Sequence, residues 1–268
     1  MRLRIGLAQL EIRDGDFEYN LSKGVDSIKR LGSNIDLVIL PELWITGYGK
    51  KNIMNFINNE KLYKEVLNTM VDLSRKFNVT LVIPMPERLG DTIYNSALII
   101  HDGVITGLYR KIHLFSLYNE DEIFSKGKNV EVFDLGGYKL GVAMCYDLRF
   151  PELFRILSLK GADLIAVPAS WGYPRLMQWR TLLRARAIEN QVFIIGVNRV
   201  GYSELVKESF AGNSCVIDPL GNEILCLGIH EAVTHVDIEL SLIHEARKYL
   251  PLWKDRRSDI YDIIVKSG

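Results

Sequence analysis

The sequence predicts an α/β protein built as a four-layer αββα sandwich: two mixed sheets face to face, helices outside, and an internal pseudo-twofold. Three observations carry that expectation. Apolar strand-like runs alternate with helix-periodic segments along the chain. The second half repeats the first in order: "RIGLAQ" (4–9) against "KLGVAM" (139–144), "IDLVILPELW" (35–44) against "ADLIAVPASW" (162–171), "VTLVIP" against "VFIIGV". Each half then closes on a hairpin-like stretch, "YNSALIIHDGVI" and "GNSCVIDPLGNEI", with turn residues in "HDGV" and "DPLGNE".

Each element has its own reason. "MRLRIGLAQLEIRDG" reads as a first strand, since Glu11 and Asp14 come too early for a secretion signal. Residues 20–31 carry apolar side chains at helical spacing. Residues 60–77 form a longer helix with Leu62, Val66, Met70 and Leu73 on one side. Residues 151–160 start on Pro151, suited to a first turn, and 179–190 are rich in Leu, Ala, Arg and Glu. No linker or low-complexity segment divides the chain, so residues 1–268 read as one domain.

Composition narrows the function. Apolar residues make up 48% and charged residues 25%, which supplies a sizeable core. Lys+Arg and Asp+Glu are both 33, and zero net charge argues against a nucleic-acid or anionic-membrane partner. No apolar run reaches the roughly 18 residues that span a bilayer. Three cysteines do not make a disulfide framework, which points to the cytoplasm. Cys215 ("SCVI") and Cys226 ("ILCL") read as buried strand hydrophobes.

Cys145 differs from those two. In "GVAMCYDLRFPE" it stands where an apolar strand gives way to a charged turn before a helix. Exposed backbone N–H groups and nearby charge there would lower its pKa. A nucleophilic thiol needs a base and an oxyanion partner. Of the histidines, only His113 lies in a suggestive stretch. In "LVILPELW", Glu42 follows four apolar residues and a proline; it is either a helix cap or a buried acid with a pKa raised toward a general base. In "LYRKIHLF", Lys111 is either a solvated face residue or a fixed cation that polarises a carbonyl.

"PELWITGY", "YRKIHLF" and "CYDLRFPE", in this order and at these separations, resemble the glutamate, lysine and cysteine motifs of the nitrilase superfamily of carbon–nitrogen hydrolases. The resemblance covers nearly the whole chain. It implies a Glu42–Lys111–Cys145 triad, the αββα sandwich, and hydrolysis of amides or nitriles without metal or cofactor. It also implies a second glutamate ahead of Gly127; Glu120 fits best and Glu122 competes. The oxyanion would meet Lys111 and the backbone N–H of Tyr146. "CYDLRF" and the stretch 170–191 resemble the omega-amidase and deaminated-glutathione amidase branches. Gly172 departs from them, because they usually carry proline after the tryptophan.

The function so implied is hydrolysis of a small linear, carboxylate-bearing 2-oxo acid amide to acid and ammonia through a thioester. Another superfamily activity, or a non-catalytic binding protein, is the alternative. Arg149 and Arg175 are candidates to hold the carboxylate, with Arg149 alternatively bonded to Asp147. Tyr48, Tyr118 and Trp171 are candidates for the pocket wall. The aromatic, charged tail, residues 245–268, is expected at a homodimer interface.

Overall fold

The computed structural model describes residues 1–262. The first half runs β1 (Arg2–Gln9), α1 (Phe17–Leu31), β2 (Leu37–Ile39), α2 (Lys50–Asn58), α3 (Glu60–Phe77), β3 (Thr80–Leu89), β4 (Thr92–His101) and β5 (Val104–Arg110). The second runs β6 (Val132–Asp134), β7 (Lys139–Val142), α4 (Pro151–Leu159), β8 (Leu164–Ala169), α5 (Leu176–Asn190), β9 (Phe193–Asn198), the short pair β10 (Tyr202–Ser203) and β11 (Glu208–Ser209), β12 (Cys215–Ile217) and β13 (Glu223–Cys226). Then come β14 (Ala232–Glu239) and α6 (Ser241–Tyr249).

One sheet has the order β14-β1-β2-β3-β4-β5 and the other β13-β12-β9-β8-β7-β6. Read in matching directions, β1 corresponds to β7, β2 to β8, β3 to β9 and β4 to β12. In both sheets the first three of these are parallel and the fourth joins antiparallel. The repeated sequence order is therefore a repeated topology.

One apolar cluster joins Ile5, Leu7, Ile39 and Ile99 of the first sheet to Val142, Ala166 and Ile195 of the second, and reaches Phe154 of α4 and Leu183 of α5. A second packs Val38, Leu81 and Ile100 against Ile28, Phe56 and Met70 of α1, α2 and α3. Val38 and Ile39 face opposite ways because strand side chains alternate. The first sheet is thus buried on both faces, which explains its unbroken apolar runs.

Four details differ from the sequence reading. The helix expected at 20–31 starts at Phe17, because the Asp16 carboxylate accepts from the Tyr19 N–H at 3.1 Å. The one expected at 179–190 starts at Leu176, continuing a 3-10 turn at Tyr173–Arg175. α2 and α6 were not foreseen; neither has a side-chain N-cap to announce it. Cys215 and Cys226 are not separate hydrophobes: they face each other across β12 and β13 and form a disulfide.

Part of the tail anchors on its own subunit. The Gln191 amide donates to the carbonyls of Leu250 (2.8 Å) and Ala246 (3.2 Å), and the Arg247 guanidinium lies 4.8 Å from the Trp253 ring. Of the segment expected at a dimer interface, residues 263–268 lie outside the described residues. Among the described residues, no helix is long and apolar enough to cross a membrane.

Candidate active site

Strand ends of both sheets converge on one point. Glu42 lies three residues past β2, Lys111 directly after β5, and Cys145 three residues past β7. Cys145 opens a 3-10 turn (Cys145–Arg149) with φ at 46°, a left-handed conformation that costs a residue with a Cβ about 1–3 kcal/mol. The surrounding fold holds it there.

Asp147 does much of that holding. Its buried carboxylate accepts from the N–H of Met144 (2.8 Å), the Tyr109 hydroxyl (2.6 Å) and the N–H of His113 (2.9 Å), and contacts His113 Nδ1 at 2.7 Å. It thus ties the cysteine turn to the end of β5. Replacing Asp147 with alanine should cost about 3 kcal/mol or more, since buried donors lose their acceptor. Urea unfolding measures this; a loss under about 1 kcal/mol would contradict the role.

The Lys111 ammonium donates to Glu42 Oε1 at 2.6 Å and to Glu120 Oε1 and Oε2 at 2.9 and 2.7 Å. All three side chains are essentially out of water. The Asn95 amide reaches Glu42 Oε1 (3.0 Å) and Glu120 Oε1 (3.3 Å), and the Ser170 N–H reaches Glu42 Oε2 (3.1 Å). Lys111 is therefore no solvated face residue: two carboxylates offset its desolvation. Glu122 is exposed and takes no part. Gly127 closes the arrangement. Its N–H donates to the Lys111 carbonyl at 2.8 Å, and a Cβ there would fall 2.0 Å from the Arg110 carbonyl oxygen. Only glycine permits that approach.

The charges follow from the burial. Burial opposes the Lys111 charge, but Glu120 and Glu42 outweigh it and hold its pKa well above the usual lysine range. Burial pushes the Glu120 carboxyl up to about 7, with Lys111 opposing and Glu42 adding. The Cys145 thiol is also pushed well up, by burial first and then by Glu42, with Lys111 opposing. This corrects the expectation of a lowered thiol pKa. The thiol therefore rests protonated, with the Glu42 carboxylate bearing on it more strongly than Glu120. His113 is spent on Asp147 and on stacking with Phe150 at 3.6 Å.

Cys145 lines a pocket whose wall also holds Tyr146, Arg149, Trp171 and Arg175, together with Phe115, Ser170 and Gly172. Arg149 does not bond Asp147; its guanidinium lies 4.7 Å from the Trp171 ring centre. Tyr48 and Tyr118 stand one layer back. Tyr48 stacks on Phe210 (5.9 Å) and meets Tyr118 edge-on (5.0 Å). Its phenol pKa is pushed well up by burial and by Glu42, so it is neutral. Sequence reading missed Phe115, Asn95 and Glu208 and gave Asp147 no role at the cysteine turn. The repeated Asn-Ser was the one signal for Asn95.

A buried carboxylate–ammonium–carboxylate row beside a rigid thiol is equipment for covalent hydrolysis, with base, fixed cation and nucleophile in one place. Residues 4–248 match the carbon–nitrogen hydrolase family model, and the chain belongs to that family, whose members hydrolyse non-peptide C–N bonds. It is 34% identical to a 2-oxoglutaramate amidase of Bacillus subtilis, over 97% of this chain and 100% of the relative. It is 30% identical to an omega-amidase of Danio rerio, over 98% and 97%. Among solved structures, a CN-hydrolase superfamily protein of Xanthomonas campestris, with an arsenic adduct in its active site, is similar at TM-score 0.89 and 29% identity, each chain fully covered.

Proposed function

We propose that the protein hydrolyses small linear 2-oxo acid amides with a carboxylate at the far end, giving the acid and ammonia. The observation that carries this is the buried Glu42–Lys111–Glu120 row beside Cys145 at the floor of a small pocket with a guanidinium in its wall. The names of the B. subtilis and D. rerio relatives support the substrate class.

Cys145 Sγ attacks the amide carbonyl while Glu42 takes the thiol proton. Lys111 and the N–H of Tyr146 face the developing oxyanion. As the C–N bond breaks, Glu42 passes the proton to nitrogen and ammonia leaves. Water then attacks the thioester, Glu42 accepting its proton; the C–S bond breaks, the thiol is restored and the acid departs. Glu120 keeps Lys111 charged and placed. Arg149, with a ring contact and no carboxylate partner among the described residues, holds the substrate carboxylate. The working form is a homodimer with the C-terminal tail at its interface; exposed Tyr249 and Ile260 support that reading.

The test is ammonia release from 2-oxoglutaramate, 2-oxosuccinamate, glutamine, asparagine, an N-carbamoyl amino acid and a nitrile, with release of the free Cys-Gly amine read for deaminated glutathione. The 2-oxo acid amides should be turned over fastest, without carbon dioxide and without action on the nitrile. Release should fall as pH drops through about 7, because Glu120 then takes a proton and Lys111 loses an anionic partner. Preference for the carbamoyl compound or the nitrile would move the protein to another branch. No turnover with any of them would overturn the reading.

A further inference from the structure

Two guanidiniums line the pocket, and their surroundings differ. Arg149 lies over Trp171. Arg175 is closed into a triangle: its Nη2 donates to Glu208 Oε1 at 2.7 Å and to the Tyr118 hydroxyl at 2.6 Å, and that hydroxyl donates to Glu208 Oε2. Both members of the ion pair are largely buried, at 24% and 13% side-chain exposure, so the charges cancel inside the wall and not in bulk water.

Gly172 makes the triangle possible. A Cβ at this position would fall 1.4 Å from Glu208 Oε1 and 2.6 Å from Arg175 Nη2. Any side chain at 172 would drive the carboxylate out of its seat. The absence of a side chain after Trp171 and the presence of Glu208 on β11 are thus one feature, although the two residues are far apart in sequence.

We infer that Glu208, admitted by Gly172, is a specificity-determining residue: it cancels the charge of Arg175, leaves Arg149 as the one uncompensated cation of the pocket wall among the described residues, and so selects amides that carry a single carboxylate. This rests on the amidase reading above. Arg175 is then a positioning residue that neutralises Glu208, and a second carboxylate on the substrate finds no free cation to meet it because Arg175 is already paired.

Three variants test this: Arg175→Met, Glu208→Gln and the double variant. Each is assayed with 2-oxoglutaramate, with a neutral amide of the same length, and with deaminated glutathione as a dianionic amide. Arg175→Met bares Glu208, so KM for 2-oxoglutaramate should rise about tenfold while that for the neutral amide moves much less. Adding Glu208→Gln should restore KM toward the wild-type value. If Arg175 itself gripped the carboxylate, the double variant would stay as weak as Arg175→Met, and the inference falls. Glu208→Gln alone keeps size and hydrogen bonding, and should shift preference about tenfold toward the dianionic amide. An equal loss on all three amides would mean a structural role only and overturns the inference. Calorimetric binding of the same amides to Cys145→Ala forms reads these differences without turnover. Failure of wild-type hydrolysis would therefore sink the amidase reading while leaving the Glu208 result to stand on its own.

Discussion

Cys145→Ala should lose ammonia release by about 10⁴-fold or more while folding normally, the largest change expected of any single substitution here. The stability side follows from the site's charge. The thiol rests neutral in a buried position, so removing its sulfur leaves a small cavity costing about 1 kcal/mol. Alanine meets the left-handed backbone at 46° with the same Cβ as cysteine, so the strain there is unchanged. Rate and urea unfolding measured on one preparation separate the two effects. A variant that folds and keeps a tenth of the wild-type rate would remove Cys145 from the mechanism.

Lys111→Met should harm both rate and stability. Losing one oxyanion donor typically lowers the rate about 10²–10³-fold. Removing the ammonium also strands Glu42 and Glu120 in a buried site, and breaking such a pair costs about 3–5 kcal/mol. This cost should depend on pH with a definite sign. A carboxyl whose pKa is raised on folding contributes most below its unfolded pKa and loses that contribution as pH rises through the folded value. Burial already raises Glu120, and losing Lys111 removes the charge that opposes the rise. The stability gap between variant and wild type should therefore narrow as the medium becomes acidic. A gap that is small, or that widens in acid, would mean the row is not charged as described.

The sequence showed what is local. Cys145 stood out because a polar group at the mouth of an apolar strand differs from its neighbours, while Glu42, in the same kind of position, read equally as a helix cap. The paired halves were legible because parallel strands buried on both faces write unbroken apolar runs. Lys111 was ambiguous for the opposite reason: its burial depends on Glu42, 69 positions away. Asn95, Asp147 and Glu208 act on residues 53, 38 and 33 positions distant, and only the packing of the two sheets brings them there. The disulfide shows a subtler limit. Ile217 pairs with Glu223, and counting outward from that pair sets Cys215 opposite Leu225. A register shift between Val216 and Ile217 sets it opposite Cys226 instead.

The edge of the first sheet carries a consequence for synthesis. Among the described residues β1 is the first strand, and its outer neighbour, β14, is the last. They pair over eight residues, from Arg2 with Glu239 to Gln9 with Ala232. Until residue 239 emerges, that flank of β1 is an open template for other nascent chains. The Cys145 thiol is translated well before the sheet that supplies Glu42 can close. A stalled or truncated chain would thus hold every residue of the active-site row and still expose the strand most ready to aggregate.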